Sequence, residues 1–261
     1  MKLHDFEVAG TDFTAVLEEG QFELNPASVL ALPLSLVCGM SRASYEFVEQ
    51  KQALLDALSP FQIVSKMWSI TATASMLERV PDTDHIVYVG SWFGQQSAIA
   101  CRHIPNYGEF VITCVDKDPA ATHVGRYLLK CDSYHRRNLP DFVTKDIFEM
   151  SFEANTLFVW NGLEHFDANE VEKFLERHSE CSFIFQSTSM EAADHTNLAH
   201  DVEDLLNVLP AAWDDGIVYR GEIECDLGSR YMMCVHGPGV ELSPDEPDGD
   251  YFENDGLDRN R

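Results

Sequence analysis

Apolar and polar positions change rhythm three times along this chain. Residues 1 to 25 alternate between the two, as in Phe6-Glu-Val8, Phe13-Thr-Ala-Val-Leu17 and Phe22-Glu-Leu24, with glycines near the turns. That period predicts short strands or a hairpin arm. Ser41 then caps a predicted helix that runs to about Leu58. Ser59-Pro60 supplies an N-cap and a first-turn proline for a second helix over about 60 to 80. Its Phe61, Val64, Trp68, Thr71, Met76 and Val80 roughly follow helical spacing. Both helices precede the first strong strand and are read as a cover over one edge of the main domain.

From Asp84 onward, strand and helix alternate. Apolar runs at Ile86–Val89, Phe110–Val115, Phe142–Val143, Leu157–Trp160 and Phe183–Phe185 are separated by helical segments near 95–104, 119–131, 168–178 and 199–209. Short strands that are apolar on both faces, with helices between them, predict a parallel sheet covered on both sides. Two more strands, Ile217–Cys225 and Arg230–His236, follow with only Asp226-Leu-Gly228 between them, so they should pair antiparallel. The expected fold class is α/β: a Rossmann-like, seven-stranded sheet with an antiparallel terminal strand, plus an N-terminal helical and strand extension. Three regions follow: an arm and helical cover (1–83), a Rossmann-like domain (84–237) and an acidic tail expected to be disordered (238–261).

Composition narrows the partners. Of 261 residues, 44 are Asp or Glu and 18 are Lys or Arg, a net charge of −26. Such a polyanion repels nucleic-acid phosphates and gains nothing from counterion release, so bulk nucleic acid is an unexpected partner. A cationic partner is one reading of the charge, and solubility alone is the plainer one. The tail holds eight acids and two arginines, so the body stays strongly acidic without it. Seven cysteines show no C-x-x-C pair, and most sit in apolar runs such as Val111-Ile-Thr-Cys114-Val115. An odd, unpatterned set points to a reducing compartment. No basic-then-apolar leader opens the chain and no apolar run nears about 18 residues. A soluble, cytoplasmic protein without a membrane partner is expected.

The chemistry gathers at the carboxyl ends of the predicted strands. The first ends in Val87-Tyr-Val-Gly90-Ser-Trp-Phe-Gly94, a turn where glycine lets backbone approach a ligand. The second ends in Asp116-Lys-Asp118-Pro119, about 26 residues beyond Gly90, close to the span of an acid that binds ribose hydroxyls. Asp116 is the first choice for that role, with Asp118 an N-cap candidate. The third ends in Asp146-Ile147, an acid for an adenine amino group and a side chain to lie on the ring. The fourth ends in Asn161-Gly-Leu-Glu164-His165-Phe166, polar groups able to orient an acceptor or take its proton. A turn followed by an acid, an Asp-apolar pair and a polar loop has the order of a nucleoside reader followed by a reaction loop. No metal is expected: His165 and His195 lack metal-ligand spacing and an obvious third ligand.

With these motifs the chain resembles a class I S-adenosylmethionine-dependent methyltransferase. More narrowly, it is similar to a group encoded by tailed bacteriophages and some bacteria. Those proteins read approximately Gly-Ser-Trp-Tyr-Gly, Asp-x-Asp-Pro, Asn-Thr-Ser-x-Glu-His-Phe, Gln-Ser-Asn-Asn, His-x-Asn, Gly-Glu-Leu and Thr-Arg-Phe-Met. The matching stretches here are Gly90–Gly94, Asp116–Pro119, Asn161–Phe166, Gln186–Ser189, His195–Asn197, Gly221–Ile223 and Ser229–Met232, with Ser59–Phe61 and Ser65–Trp68 upstream.

The resemblance implies S-adenosylmethionine as cofactor, with Gly90, Ser91 and Gly94 at its methionine part, Asp116 on the ribose, and Asp146 with Ile147 at the adenine. Trp92 would attract the sulfonium charge. Asn161, Glu164 and His165 would face the methyl donor and acceptor, with Glu164 or His165 as base or orienting group. The acceptor is not implied, nor is the oligomeric state; the host cytoplasm is the expected compartment if the gene is a phage's. The chain departs from the general G-x-G-x-G turn by placing Trp92 and Phe93 inside it, and has Thr188-Ser189 where the group has two asparagines. A competing reading keeps the fold but makes the chain a non-catalytic, acidic interaction protein. A nicotinamide-dependent oxidoreductase is disfavoured by the terminal hairpin and the missing G-x-G-x-x-G.

Overall fold

The computed structural model describes residues 7–8, 11–12, 60–80, 82–92, 94, 96–97, 100–101, 104, 106–130, 140–191, 195–225 and 228–242. The predicted helix from Ser41 to Leu58, most of the N-terminal arm, Phe93 and most of the acidic tail lie outside these residues. Of the arm, β1 (Glu7–Val8) and β2 (Thr11–Asp12) pair antiparallel.

The sheet is built from β3 (His85–Val89), β4 (Val111–Asp116), β5 (Asp141–Thr144), β6 (Leu157–Asn161), β7 (Ser182–Thr188), β8 (Ile217–Cys225) and β9 (Gly228–His236). Their spatial order is β5-β4-β3-β6-β7-β9-β8. The first five run parallel, while β9 pairs antiparallel with both β7 and β8. The order reverses beside β3, and in an open parallel sheet such a switch point leaves a crevice at the strand carboxyl ends. Because β9 runs backwards, its first residues lie at that same edge: Arg230 is opposite Thr188, the last residue of β7.

Among the described residues, α1 (Pro60–Arg79), α2 (Pro119–Lys130) and α3 (Ala168–Arg177) pack on the sheet, and residues 96–97 and 100–101 are also helical. The Asp167 side chain caps α3 by accepting from the N–H groups of Asn169 and Glu170, and the helix buries Val171, Phe174 and Leu175. Its apolar stripe meets an aromatic layer in which Phe158 and Phe183, on neighbouring strands, stack at 4.7 Å. Phe174 meets Phe158 and Trp160 edge-on.

The helical cover lies across interior strands, since α1 contacts β6, β7 and β9. Trp68, Ile70, Ala72 and Met76 on α1 are buried, and so are Ser65, Ser69, Thr71, Thr73 and Ser75. Small hydroxyl residues let a helix sit close to the sheet and still satisfy polar groups. In place of the expected helix over 199–209 there is a 3-10 turn, Glu203–Val208, and a second, Ala211–Gly216, follows it. Leu205, Val208 and Trp213 reach the core from these short turns.

Candidate functional site

The turn after β3 is bent by two glycines and one strained tryptophan. Gly90, Trp92 and Gly94 all have positive φ, at 60°, 49° and 70°. A Cβ on Gly94 would lie 2.6 Å from the Phe142 ring, so this glycine is needed for packing as well as for backbone shape. Left-handed φ is costly for a bulky residue, and the bond that holds Trp92 there is visible. Its N–H donates to Asp116 Oδ2 at 2.7 Å. The Ser91 N–H donates to the Val115 carbonyl at 3.0 Å, tying the same turn to β4.

Asp116 ends β4, half-buried, with its second oxygen accepting from the Asp118 N–H at 2.9 Å. A carboxylate has about four acceptor positions, so two remain after these bonds. Asp118 caps α2 through a 2.8 Å bond from the Ala120 N–H, with Pro119 in the first turn. Asp146 accepts from the Phe148 N–H and caps a single 3-10 turn. Ile147 is turned into the core, 2 % exposed, and offers a ligand little side-chain surface.

Asn161 ends β6 and is held on both sides. Its Oδ1 accepts from Ser69 Oγ of α1 at 3.2 Å and its Nδ2 donates to Gln96. Gln96 in turn donates to Ser69 Oγ at 2.7 Å, closing a ring of three side chains. One strand further, Gln186 accepts from Ser65 Oγ at 3.0 Å and donates to the Ser65 carbonyl at 3.0 Å. Thus α1 is bonded through two serines to two strand ends at the crevice. Gln96 and Ser69 carry no sequence signal of this role, since polar residues in a helix are ordinary, whereas Ser65 opens the Ser65–Trp68 stretch singled out in the sequence.

The loop after β6 turns at Gly162, with φ 83°, and makes one 3-10 turn, Leu163–His165. Glu164 is buried while His165 beside it is exposed. The Glu164 carbonyl accepts from the N–H groups of Thr196 (2.8 Å) and Asn197 (3.0 Å), which brings His195 against the loop. The His165 and His195 rings meet edge-on with centroids 4.7 Å apart. Arg230 Nη1 lies 3.4 Å from Glu164 Oε1, a buried ion pair from β9 into the loop. One possible ligand atom each from Glu164, His165 and His195 lies within 4.8 Å of the others. Lys66 on α1 has its amine pushed down to about 7 by burial and by the charge of Arg230.

Thr188 and Ser189 stitch β7 to the start of β9. Thr188 Oγ1 donates to the Ser229 carbonyl at 2.9 Å, and the Ser229 N–H donates to Ser189 Oγ at 2.9 Å. Their short hydroxyls make backbone bonds here.

No family model matches the sequence, and no curated protein does. Solved structures do match. The chain is similar to the plantazolicin methyltransferase BpumL in complex with S-adenosylhomocysteine, at 10 % identity and TM-score 0.51, covering 78 % of this chain and 96 % of that one. It is also similar to magnesium protoporphyrin IX methyltransferase from Synechocystis PCC 6803 with bound S-adenosylhomocysteine, at 12 % identity and TM-score 0.50, covering 67 % and 84 %. The fold is that of the class I methyltransferases. At this identity the likeness speaks for architecture, and the side chains speak for themselves. Among the described residues, no helix is long and apolar enough to cross a membrane.

Proposed function

We propose that this protein is an S-adenosylmethionine-dependent methyltransferase whose acceptor meets the methyl group beside Asn161, Glu164 and His165. The observation that carries the reading is Asp116. It sits at the end of the strand beside the switch point, half-buried, holds the Trp92 turn in a left-handed conformation, and keeps acceptor positions for a ribose diol. A cradle of backbone, one carboxylate and one aromatic suits a nucleoside carrying a sulfonium charge. Two neighbours with TM-scores of at least 0.5 are methyltransferases solved with S-adenosylhomocysteine, which supports the same reading. The motifs shared with the group encoded by tailed phages and some bacteria support it too; for a phage gene the setting is the host cytoplasm.

When bound, the cofactor would supply an electrophilic methyl on sulfur, with the thioether as leaving group. The residues of this chain position that methyl for its acceptor. Gly90 and Ser91 present backbone at the turn, while Asn161, fixed by Ser69 and Gln96, forms a rigid polar wall. Between Glu164 and His165, the exposed imidazole is the group an acceptor reaches, so His165 orients the nucleophile and, where no ion occupies it, can take its proton. Glu164, buried and ion-paired, holds the loop. Asp146 stands at the adenine end, with Ile147 behind it. The net charge of −26 supports an acceptor other than a polynucleotide.

Titration calorimetry with S-adenosylmethionine, S-adenosylhomocysteine and NAD tests the pocket. Binding of the two sulfur compounds without NAD is expected, and binding of NAD alone would refute it. One observation favours a second reading, a non-catalytic acidic binder: Trp92 places an indole inside the turn, with φ 49°. Tritiated methyl donor offered to candidate acceptors separates the two, since only an enzyme transfers label.

A further inference from the structure

We infer that Glu164, His165 and His195 form a binding site for one divalent transition-metal ion of the zinc class. Three observations converge on it. One ligand atom from each residue lies within 4.8 Å of the others, a spread that small side-chain rotations would close onto one ion. The carboxylate is buried with capacity to spare: Oε1 faces both Arg230, at 3.4 Å, and His195 Nε2, at 4.0 Å, while Oε2 has no hydrogen-bond partner among the described residues. An acceptor oxygen in that position is expensive to bury unless something positive meets it. The third observation is the orientation of His195. Its Nδ1 lies 2.7 Å from the Met190 carbonyl, which only accepts, so Nδ1 carries the hydrogen and Nε2 keeps its lone pair. That lone-pair nitrogen is the one facing Glu164, 4.0 Å from Oε1. A backbone carbonyl that fixes the tautomer of a histidine is the usual support of a metal ligand.

The loop has the shape to allow this. Gly162 is left-handed, and a Cβ there would come within 3.0 Å of the His165 ring, so glycine leaves room for the imidazole to fold back over the turn. The Thr196 and Asn197 N–H groups clamp the Glu164 carbonyl and hold the His195 segment against the loop. Two imidazoles and one carboxylate favour zinc-class ions over magnesium or calcium, which prefer oxygen cages. Three protein ligands leave a further position for water or for an oxygen of an acceptor. Metal binding stands apart from the cofactor; only the placing of an acceptor on the ion rests on the methyl-transfer reading.

The full chain, stripped with chelator, is titrated with Co²⁺ and followed by visible absorption. The expected result is one Co²⁺ per chain, displaced by Zn²⁺ and not by excess Mg²⁺. His165→Ala and His195→Ala should each weaken binding by at least about tenfold while the far-ultraviolet circular dichroism is unchanged. His165 is exposed, so its truncation spares the fold. No saturable Co²⁺ signal, or a signal that both variants retain, overturns the site and assigns any bound ion to the acidic surface. Calorimetry with S-adenosylhomocysteine on the same samples keeps the two readings separate. Cofactor without metal removes this inference alone, and metal without cofactor removes the methyltransferase reading alone.

Discussion

At the scale of the residue, the site depends on a few polar atoms whose partners are fixed by backbone. Asp116 joins the strained turn to the proposed ribose position, so Asp116→Ala should lose both. We expect S-adenosylhomocysteine affinity to fall at least about 100-fold by calorimetry, as two charge-assisted hydrogen bonds disappear. His165→Ala should lower kcat by about 100-fold or more with cofactor affinity little changed, measured once an acceptor is in hand. A third residue acts through protons. His236 is buried, within 2.9 Å of Ser182 Oγ, and burial together with Arg79 pushes its imidazole down to about 4. Its folded pKa therefore lies below the unfolded value near 6.5, and the unfolded chain binds more protons between the two. Stability is full above about pH 6.5 and falls as pH drops towards 4, by about 3 kcal/mol from this group. His85 and His178, also lowered mainly by burial, add in the same direction. Urea melts at stepped pH should show the loss, and His236→Gln should flatten it.

At the scale of the element, the pattern of apolar runs identified all seven strands of the sheet and the helices α1, α2 and α3, because strand and helix periods are local properties of the chain. The segment near 199–209 was misread as a helix. Its Leu205 and Val208 satisfy the core from a 3-10 turn, and an apolar count does not separate that from a longer helix. Nor did the pattern show that α1 would lie across β6, β7 and β9, since that choice is made by serines meeting Asn161 and Gln186. The link from β9 to the β6 loop can be tested. Arg230→Met leaves Glu164 buried without its cation and should cost about 3–5 kcal/mol in denaturant melts. Adding Glu164→Gln should recover much of that, as a neutral amide is cheaper to bury than a lone carboxylate. In the turn after β3, Gly94→Ala should cost about 2–4 kcal/mol through positive φ and collision with Phe142.

At the scale of the whole molecule, 44 acids against 18 bases generate self-repulsion that salt screens. The melting temperature should rise as NaCl is raised from about 0.01 M to about 0.15 M, where the screening length shrinks from roughly 30 Å to 8 Å. Duplex DNA should show no binding by anisotropy in the same range. Amino-acid order alone determined the α/β class, the antiparallel close of the sheet, and the placing of Gly90, Asp116, Asp146 and Asn161 at strand ends, because alternation, turn residues and charge are read within short windows. Only the folded chain decided which side chains share one edge. Glu164 and Arg230, 66 positions apart, meet because β9 runs backwards beside β7, and His195 joins them because two backbone N–H groups grip the Glu164 carbonyl. Those contacts depend on three-dimensional closure across the sheet, which no local period encodes.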